Sequence, residues 1–351
     1  MMSRQRGARA ARSSRTESPE RGRFAPRRSW LSAVGSVHAV AGSDREPLIH
    51  AHALVKRFGE LVAVDAIDFD LQRGEAFGFL GPNGAGKTST MRMIGCVSPV
   101  TDGTLRVFGL DPTRDGVKIR GRLGVVPQLD TLDMELTVRE NIVIYGRYFG
   151  LPRKELGARA DELLEFVELT ERANDKVEPL SGGMKRRLTI ARSLVNDPEV
   201  MLLDEPTTGL DPQARHVVWD RLYRLKRQGV TLVLTTHYMD EAEQLCDRLV
   251  VMDKGKIVAE GSPRDLIDRY STREVVELRF DDNRPEDLSY WTDGLVSRVE
   301  PLPDRVLLYT DDGDAASHGI HERGLVPESV LVRRSTLEDV FLHLTGRSLI
   351  E

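Results

Sequence analysis

The sequence contains no apolar run approaching the roughly 18 to 20 consecutive residues that a membrane-spanning helix needs. If the protein works at a membrane, it must therefore dock onto another protein that spans the membrane. Only two cysteines, Cys96 and Cys246, occur among the 351 residues, and they do not form a C-x-x-C pair. This scarcity argues against a disulfide framework or a zinc site, and it suits a reducing cytosol.

Charge is distributed unevenly along the chain. Residues 1–46 carry ten Arg against four acidic residues, although the formal net charge of the whole chain is −5. The stretch has few large apolar side chains, so we predict that it is a disordered basic tail. One interpretation is that the tail contacts nucleic acid or acidic lipid. The interpretation that we favour is a solvated tail.

Beyond the tail, the pattern is that of a folded α/β protein. Short strands are predicted within residues 48–71 and at 76–80, where a glycine-rich loop and a helix follow at once. Residues 200–203 and 231–235 are apolar strands, and an amphipathic helix lies between them. Strands that alternate with helices predict a parallel sheet that is covered on both faces.

The last part of the chain has a different pattern. Residues 274–280 and 305–310 predict strands. Residues 337–344 place apolar side chains at the i, i+3, i+4 and i+7 spacing of an amphipathic helix. Ser335 and Glu338 match an S-x-x-E capping box at the start of that helix. We therefore predict a small α+β appendage at the C-terminal end.

The strongest local signal is a phosphate-binding loop, which matches G-x-x-x-x-G-K-[ST]. Its glycines allow backbone N–H groups to turn towards phosphate oxygens, and the following helix presents its positive dipole end to the same anion. Lys87 is expected to reach the β- and γ-phosphates, and the Thr88 hydroxyl is expected to hold Mg²⁺. The predicted nucleotide-binding residues are Gly81, Pro82, Asn83, Gly84, Ala85, Gly86, Lys87, Thr88 and Ser89.

Two carboxylates follow the apolar strand at 200–203. Asp204 comes directly after a strand that is expected to be buried, where an unpaired carboxylate is costly. A Mg²⁺ ion bound through water would offset that cost. Glu205 is placed to orient or polarise an attacking water. Together with the phosphate loop, this pair predicts an NTPase of the phosphate-loop class.

A second anion site is predicted at residues 180–184, which read Leu-Ser-Gly-Gly-Met and precede a helical run. Ser181, Gly182 and Gly183 offer a hydroxyl, free backbone donors and a helix dipole. One γ-phosphate needs only one such loop in a chain. The second loop is therefore expected to serve the nucleotide that another subunit binds.

The order of these motifs, with Gln128 after the phosphate loop and His237 after the two carboxylates, resembles the ABC ATPases over residues 48–268. The family usually has Gln where this chain has Met184. The resemblance implies an α/β fold with a mixed sheet and a helical subdomain. It places the ATP-binding domain at residues 47–270, with the helical subdomain at about 130–195, and an accessory α+β domain at 271–351.

The resemblance also implies roles for individual residues in a head-to-tail homodimer that holds two ATP molecules. Phe58 matches the aromatic residue that stacks on adenine. Gln128 matches the residue that senses Mg²⁺ and water and faces the membrane partner. Asp211 matches the loop that crosses the interface, and His237 matches the switch that contacts the γ-phosphate. The implied catalytic residues are Lys87, Gln128, Glu205 and His237, and the implied metal ligands are Thr88, Gln128 and Asp204.

Longer segments point to the exporter branch of this family. The segments at 125–130, 136–141, 145–150, 180–192 and 235–243 look like the nodulation-factor exporter ATPases of rhizobia. Residues 335–341 are similar to the tail of the drug- and polyketide-export branch, the daunorubicin-resistance type. The resemblance implies an ATPase that lies on the cytoplasmic face of the inner membrane as a peripheral subunit. Its implied partner is a separate integral membrane permease, and its cargo is a modified oligosaccharide.

Two alternatives remain open. One is a drug or polyketide cargo within the same branch. The other is a non-transport ABC ATPase that acts on ribosomes or nucleic acid. Translation-related members usually carry two cassettes, and DNA-acting members interrupt the cassette with a coiled coil. This chain has one uninterrupted cassette, so we expect no nucleic-acid partner. A regulator without turnover is disfavoured because Glu205 and His237 are both present.

Overall fold

The computed structural model describes residues 46–281, 285 and 287–346. The predicted basic tail, residues 1–46, lies outside this range except for Glu46. Within the described residues, no helix combines the length and the apolar character needed to cross a bilayer.

The described chain contains strands in three sheets and helices around them. The strands are β1 (Ile49–Phe58), β2 (Leu61–Leu71), β3 (Ala76–Leu80), β4 (Asp102–Val107), β5 (Leu123–Val126), β6 (Val200–Asp204), β7 (Thr231–Thr236), β8 (Arg248–Asp253), β9 (Lys256–Gly261), β10 (Glu274–Arg279), β11 (Arg298–Pro301), β12 (Val306–Thr310) and β13 (Ser329–Arg334). The helices are α1 (Lys87–Ile94), α2 (Pro112–Arg120), α3 (Val138–Tyr148), α4 (Arg153–Phe166), α5 (Gly182–Ser193), α6 (Pro212–Arg227), α7 (Met239–Leu245), α8 (Pro263–Tyr270), α9 (Ser289–Thr292), α10 (Gly313–Glu322) and α11 (Leu337–Thr345).

A six-stranded mixed sheet, in the order β5-β6-β7-β3-β8-β9, forms the centre of the molecule. Its strands are parallel except for β9, which pairs with β8 in the antiparallel sense. In the register, Val126 lies beside Leu203 and Leu80 lies beside Thr236. The carboxyl ends of β5, β6, β7 and β3 therefore meet at one edge of the sheet, where a ligand of a parallel sheet is expected to bind.

Both faces of this sheet are buried, as the apolar runs in its strands require. In β3, Ala76 and Leu80 belong to the core on one face, whereas Phe77 and Phe79 belong to the core on the other. The alternation follows from the two-residue period of a strand. The second core also contains residues of the antiparallel sheet β2-β1-β4, which covers that face together with α1.

Helices α3, α4 and α5 pack together on the other side of the central sheet. Helix α3 begins with a complete capping box, in which Thr137 and Glu140 each bond the backbone N–H of the other residue. This arrangement satisfies two of the N–H groups that a helix start leaves unpaired. The three helices lie within residues 130–195, and the assignment of that range to a subdomain stays a prediction.

The C-terminal part contains an antiparallel sheet in the order β11-β12-β10-β13. The sequence patterns predict β10 and β12 but not the more exposed β11 and β13. The predicted final helix is present, but its capping box is formed by Thr336 and Asp339. The assignment to Ser335 and Glu338 is wrong by one position. Asp339 accepts the Thr336 N–H at 2.8 Å, and the shorter side chain performs the part usually taken by Glu.

Helix α11 packs on the ATP-binding part of the chain. Leu337, Val340 and Phe341 are fully buried in the same apolar core as Ala242 and Leu245 of α7. The division of the chain at residue 270 or 271 stays a prediction. The packing shows that the last helix is not separate from the main core.

Candidate active site

The phosphate loop (residues 81–88) connects β3 to α1 at the carboxyl edge of the central sheet. A Cβ atom at Gly81 would lie 2.3 Å from the Met252 carbonyl oxygen. Gly86 has a φ of 102°, and a Cβ atom there would lie 2.4 Å from the Ala63 carbonyl oxygen. Both positions therefore exclude other residues, for reasons of close approach and of left-handed backbone geometry.

Lys87 is the first residue of α1, and its side chain is only 4% exposed. Its ammonium donates to the carbonyl oxygens of Gly81 (2.6 Å) and Pro82 (3.0 Å) and lies 3.9 Å from Glu205 Oε1. Burial lowers the pKa of Lys87, while the carboxylates of Glu205 and Asp204 act in the opposite direction. The positive charge is thus held inside the loop that is predicted to receive phosphate.

Asp204, at the end of β6, accepts hydrogen bonds from two hydroxyl groups. Thr88 Oγ1 donates to Asp204 Oδ1 at 3.1 Å, and Thr235 Oγ1 donates to the same oxygen at 2.6 Å. The register of β6 and β7 places Asp204 directly beside Thr235. The structure therefore brings together Thr88 and Asp204, two of the three residues that are predicted to hold Mg²⁺.

Glu205 follows Asp204 and has a left-handed backbone, with a φ of 46°. Such a conformation is costly for a residue other than glycine and is found preferentially at functional sites. Its N–H is held by the carbonyl oxygen and the hydroxyl of Thr235, both at 3.1 Å. This arrangement turns the Glu205 side chain towards Lys87 and His237.

Glu205 is only 6% exposed, and its carboxylate is surrounded by polar groups. Gln128 Nε2 and Thr208 Oγ1 donate to Oε2 at 3.0 Å and 3.1 Å. His237 Nδ1 lies 3.3 Å from Oε1 without forming an aligned hydrogen bond within the described part of the chain. The pKa of Glu205 lies below its ordinary value, chiefly because of the polar contact with His237 and despite burial. The carboxylate is therefore ionised at neutral pH, as a group that orients or deprotonates water must be.

The signature segment (residues 180–184) lies apart from this cluster. Ser181 caps α5 by accepting the Met184 N–H at 3.3 Å, and Ser181 and Gly182 are exposed. A Cβ atom at Gly183 would lie 2.7 Å from Cβ of Ala214, at the start of α6. Met184 packs against the apolar core. An exposed helix N-terminus with small residues is thus present, and it is available to an anion from outside the chain.

Phe58 and Asp211 also lie outside the cluster. Phe58 ends β1, is 51% exposed, and has Lys56 Nζ 4.8 Å from its ring centroid. Asp211 is the N-cap of α6, where its carboxylate accepts the Ala214 N–H at 2.8 Å. The structure gives Asp211 a local capping role and leaves the Phe58 ring open to solvent.

Several polar residues in contact with the site were not singled out from the sequence. Thr235 and Thr208 bond the two carboxylates, but a threonine in an apolar strand or a turn carries no specific signal. Arg186 is buried against the backbone of Asp204 and Glu205. Its position four residues before buried Ile190 places it on the inner face of α5, and this spacing was the available signal.

The fold and the site together define an ATPase of the ATP-binding-cassette class. The ABC transporter family model matches residues 64–208, and the model for the C-terminal domain of the nodulation factor export protein NodI matches residues 286–346. A Nod factor export ATP-binding protein I from Ralstonia nicotianae is 46% identical over 88% of this chain and 97% of that protein. The one from Rhizobium meliloti is 44% identical over 89% and 92%. The chain belongs to this family of ABC transporter ATP-binding proteins.

Solved structures agree with this assignment. The cbiO1 protein of Clostridium perfringens, part of the ABC transporter complex cbiONQ, is 27% identical, with a TM-score of 0.60 over 64% of this chain and 92% of that chain. A dimeric ATP-binding cassette in a post-hydrolysis state, bound to ADP and Pi, is 28% identical, with a TM-score of 0.56 over 61% and 98%. The predicted ABC-type α/β fold is confirmed, and the chain is an ATP-binding and ATP-hydrolysing subunit.

Proposed function

We propose that this ATPase drives export of a nodulation-factor-like modified oligosaccharide through a separate membrane permease. The ATP-hydrolysis part of this proposal rests on one observation, the cluster of Lys87, Asp204 and Glu205 at one edge of the central sheet. The names of the relatives, Nod factor export ATP-binding protein I, support the cargo. Localisation at the cytoplasmic face of the inner membrane follows from dependence on a permease.

In this proposal, the phosphate loop binds the phosphates of ATP, and Lys87 neutralises charge on the β- and γ-phosphates. The oxygens of Thr88, Asp204 and the Gln128 side chain are hard donors of the kind that Mg²⁺ prefers, and Thr88 and Asp204 already lie within hydrogen-bonding distance. Mg²⁺ held there supplies charge neutralisation of the phosphate oxygens. Glu205 orients the attacking water and accepts its proton, and His237 contacts the γ-phosphate from the same side.

A homodimer is part of the proposal. The signature segment contacts the start of α6 and stands apart from the phosphate loop, so it is positioned to serve the ATP of a second subunit. Asp211 and Phe58 are assigned to the dimer interface and the adenine ring. The dimeric cassette among the similar structures supports this arrangement.

A groove beside Gln128 is the proposed docking site for the permease. The groove has a volume of about 410 Å³ and is lined by residues of the loop after β5 and of α3, among them Pro127, Tyr145 and Tyr148. Tyr148 is 81% exposed, and Leu129 is 78% exposed. Exposed aromatic and apolar side chains beside a catalytic loop fit a protein partner whose motion is coupled to hydrolysis.

Lys87→Ala tests the ATPase part of the proposal. The variant is expected to lose nucleotide binding or turnover, because the charge that faces phosphate is removed. Lys226→Ala is the control, since the Lys226 side chain is partly buried, with 20% exposed, and pairs with Asp247 away from the site. Normal hydrolysis by Lys87→Ala would show that the site has been assigned wrongly.

Tyr148→Ala tests the docking site. The full chain is co-expressed with a candidate permease, and co-purification, membrane retention and extracellular lipo-chitooligosaccharide are measured. We expect all three to fall for Tyr148→Ala while hydrolysis by the isolated subunit is kept. Tyr223→Ala, which removes a half-exposed tyrosine on α6, is the control. Normal export by the Tyr148 variant would exclude this surface. Secretion of a different cargo by the wild type would exclude the oligosaccharide.

A further inference from the structure

Arg186 occupies an unusual position near the start of α5. The residue is 5% exposed, and its guanidinium donates to four backbone carbonyl oxygens. Nε donates to Pro206 at 2.6 Å, and Nη1 donates to Pro127. Nη2 donates to Asp204 and Glu205, both at 3.1 Å. One side chain thus joins three separate parts of the chain: α5, the loop after β5 and the turn after β6.

The four carbonyl groups belong to the backbone that carries the proposed catalytic residues. Pro127 immediately precedes Gln128, and the other three carbonyls span the turn that begins at Asp204. The planar fork of a guanidinium fixes the relative positions of its acceptors, which a flexible ammonium does not do. Arg186 thus bonds the backbone beside both Gln128 and Glu205, whose Nε2 and Oε2 atoms lie 3.0 Å apart.

The backbone of Glu205 is held from both ends. Its N–H is bonded by Thr235, and its carbonyl oxygen is bonded by Arg186. A residue with a φ of 46° stays in that conformation only where its surroundings hold it there. Removing the guanidinium would leave the carbonyl unpaired and would free the peptide to rotate.

We propose that Arg186 is a positioning residue for ATP hydrolysis. It holds Gln128 and Glu205 at fixed positions relative to each other and to α5, the helix that begins in the signature segment. The proposal rests on the proposed roles of Gln128 and Glu205. Among the described residues, the hydrogen bonds of Arg186 go to the loops after β5 and β6 and none goes to the phosphate loop, so its effect is expected on the chemical step and not on ATP affinity.

The test compares Arg186→Met and Arg186→Lys in the full chain, with ATP as the probe. The Met variant keeps the length of the apolar stem without donors, and the Lys variant keeps the charge without the fork. We expect kcat to fall about tenfold or more for Met and less for Lys, with KM and the equilibrium affinity for ATP within about twofold of wild type.

Arg159→Met is the matched control for loss of stability. Arg159 Nη2 also donates to a backbone carbonyl, that of Leu194, and its side chain is only 13% exposed, but it lies in α4 away from the catalytic loops. The melting temperatures of the Arg159 and Arg186 variants are measured in parallel. A loss of kcat in Arg186→Met that exceeds the loss in an equally destabilised Arg159→Met supports positioning.

Other outcomes would overturn the inference. Unchanged kcat in either Arg186 variant would do so, as would equal losses of kcat in the Arg159 and Arg186 variants at equal stability. If Arg186→Met does not fold, Arg186→Lys alone decides by the same criteria. Normal hydrolysis by Lys87→Ala would instead reject the proposed function, whatever the Arg186 variants show.

Discussion

Gln128 donates a hydrogen bond to Glu205, with Nε2 and Oε2 3.0 Å apart. The two residues follow β5 and β6, which are adjacent parallel strands. Val126, the last residue of β5, lies beside Leu203, one residue before the end of β6. The contact links the loop that borders the proposed permease groove to the carboxylate that is proposed to act on water. A displacement of that loop by a partner would therefore alter the position of the Glu205 carboxylate directly.

Glu205→Gln is expected to bind ATP, to hydrolyse it about a hundredfold more slowly or worse, and to accumulate as a closed dimer. The amide is nearly isosteric and still accepts from Gln128 and Thr208, but it cannot take a proton from water. Phosphate release and size-exclusion chromatography with MgATP measure the two effects. Glu155→Gln, which neutralises an exposed carboxylate at the start of α4, is the control. Full turnover would remove Glu205 from its role and leave the fold assignment intact.

Ser181→Ala is expected to keep ATP binding by the isolated subunit and to lose turnover, because the hydroxyl is proposed to serve the site of another subunit. Loss of a helix cap alone costs about 1 kcal/mol of stability. Ser262→Ala, which removes the equivalent cap from α8, controls for that loss. A mixture of Ser181→Ala with Lys87→Ala is expected to regain hydrolysis, since a mixed dimer contains one intact composite site. Failure of the mixture to recover would contradict the head-to-tail arrangement.

Glu241→Gln is expected to melt at a higher temperature than wild type at neutral pH and above. Glu241 is fully buried, its Oε1 accepts from Thr207 and Trp219, and its Oε2 has no hydrogen-bond partner within the described residues. Burial raises the pKa of Glu241 above its ordinary value of 4.5. The folded state therefore holds the proton more tightly, and stability is lost as pH rises through the folded pKa. The advantage of Gln should shrink as pH falls towards 4.5.

Asp339→Asn provides the control of opposite sign for this pH dependence. Burial acts to raise the pKa of Asp339, but the Arg333 guanidinium, at 2.8 and 3.0 Å, lowers it overall. Its stabilising effect is present above the ordinary pKa of 3.8 and is lost as pH falls through the folded pKa. Thermal melts across pH should therefore show a loss for Asp339→Asn at neutral pH that disappears in acid. Parallel profiles for the two variants would contradict both assignments.

Phe341→Ala is expected to destabilise the chain by about 3–5 kcal/mol in urea denaturation. Phe341 lies on α11, is fully buried, and packs in the core that also contains α7. Tyr290→Ala, which removes a side chain that is 71% exposed, should change stability by less than about 0.5 kcal/mol. A small effect of Phe341→Ala would mean that the last helix is only loosely attached to the ATP-binding part.

Short-range features of this protein were readable from the sequence. The spacing of Gly81, Gly86 and Lys87 predicts where the backbone approaches phosphate. The glycines and the lysine that such a loop needs all lie within a few residues of one another. The apolar runs at 200–203 and 231–235 predict strands that are buried on both faces. The capping box of α11 shows the limit of such patterns, since Ser335 and Thr336 are adjacent alternatives and only the backbone geometry selects between them.

The sequence by itself determined the class of site, because each motif lies within a few residues and contains the side chains and glycines that its chemistry requires. Only the tertiary structure decided which distant groups meet. Strand register brings Gln128 to Glu205, burial directs Arg186 onto four carbonyl groups, and packing joins Phe341 to the main core. These contacts link residues far apart in the chain, and the partners of Arg186 are backbone atoms, which are identical at every position. No sequence pattern encodes such a partner, so the fold alone selects it.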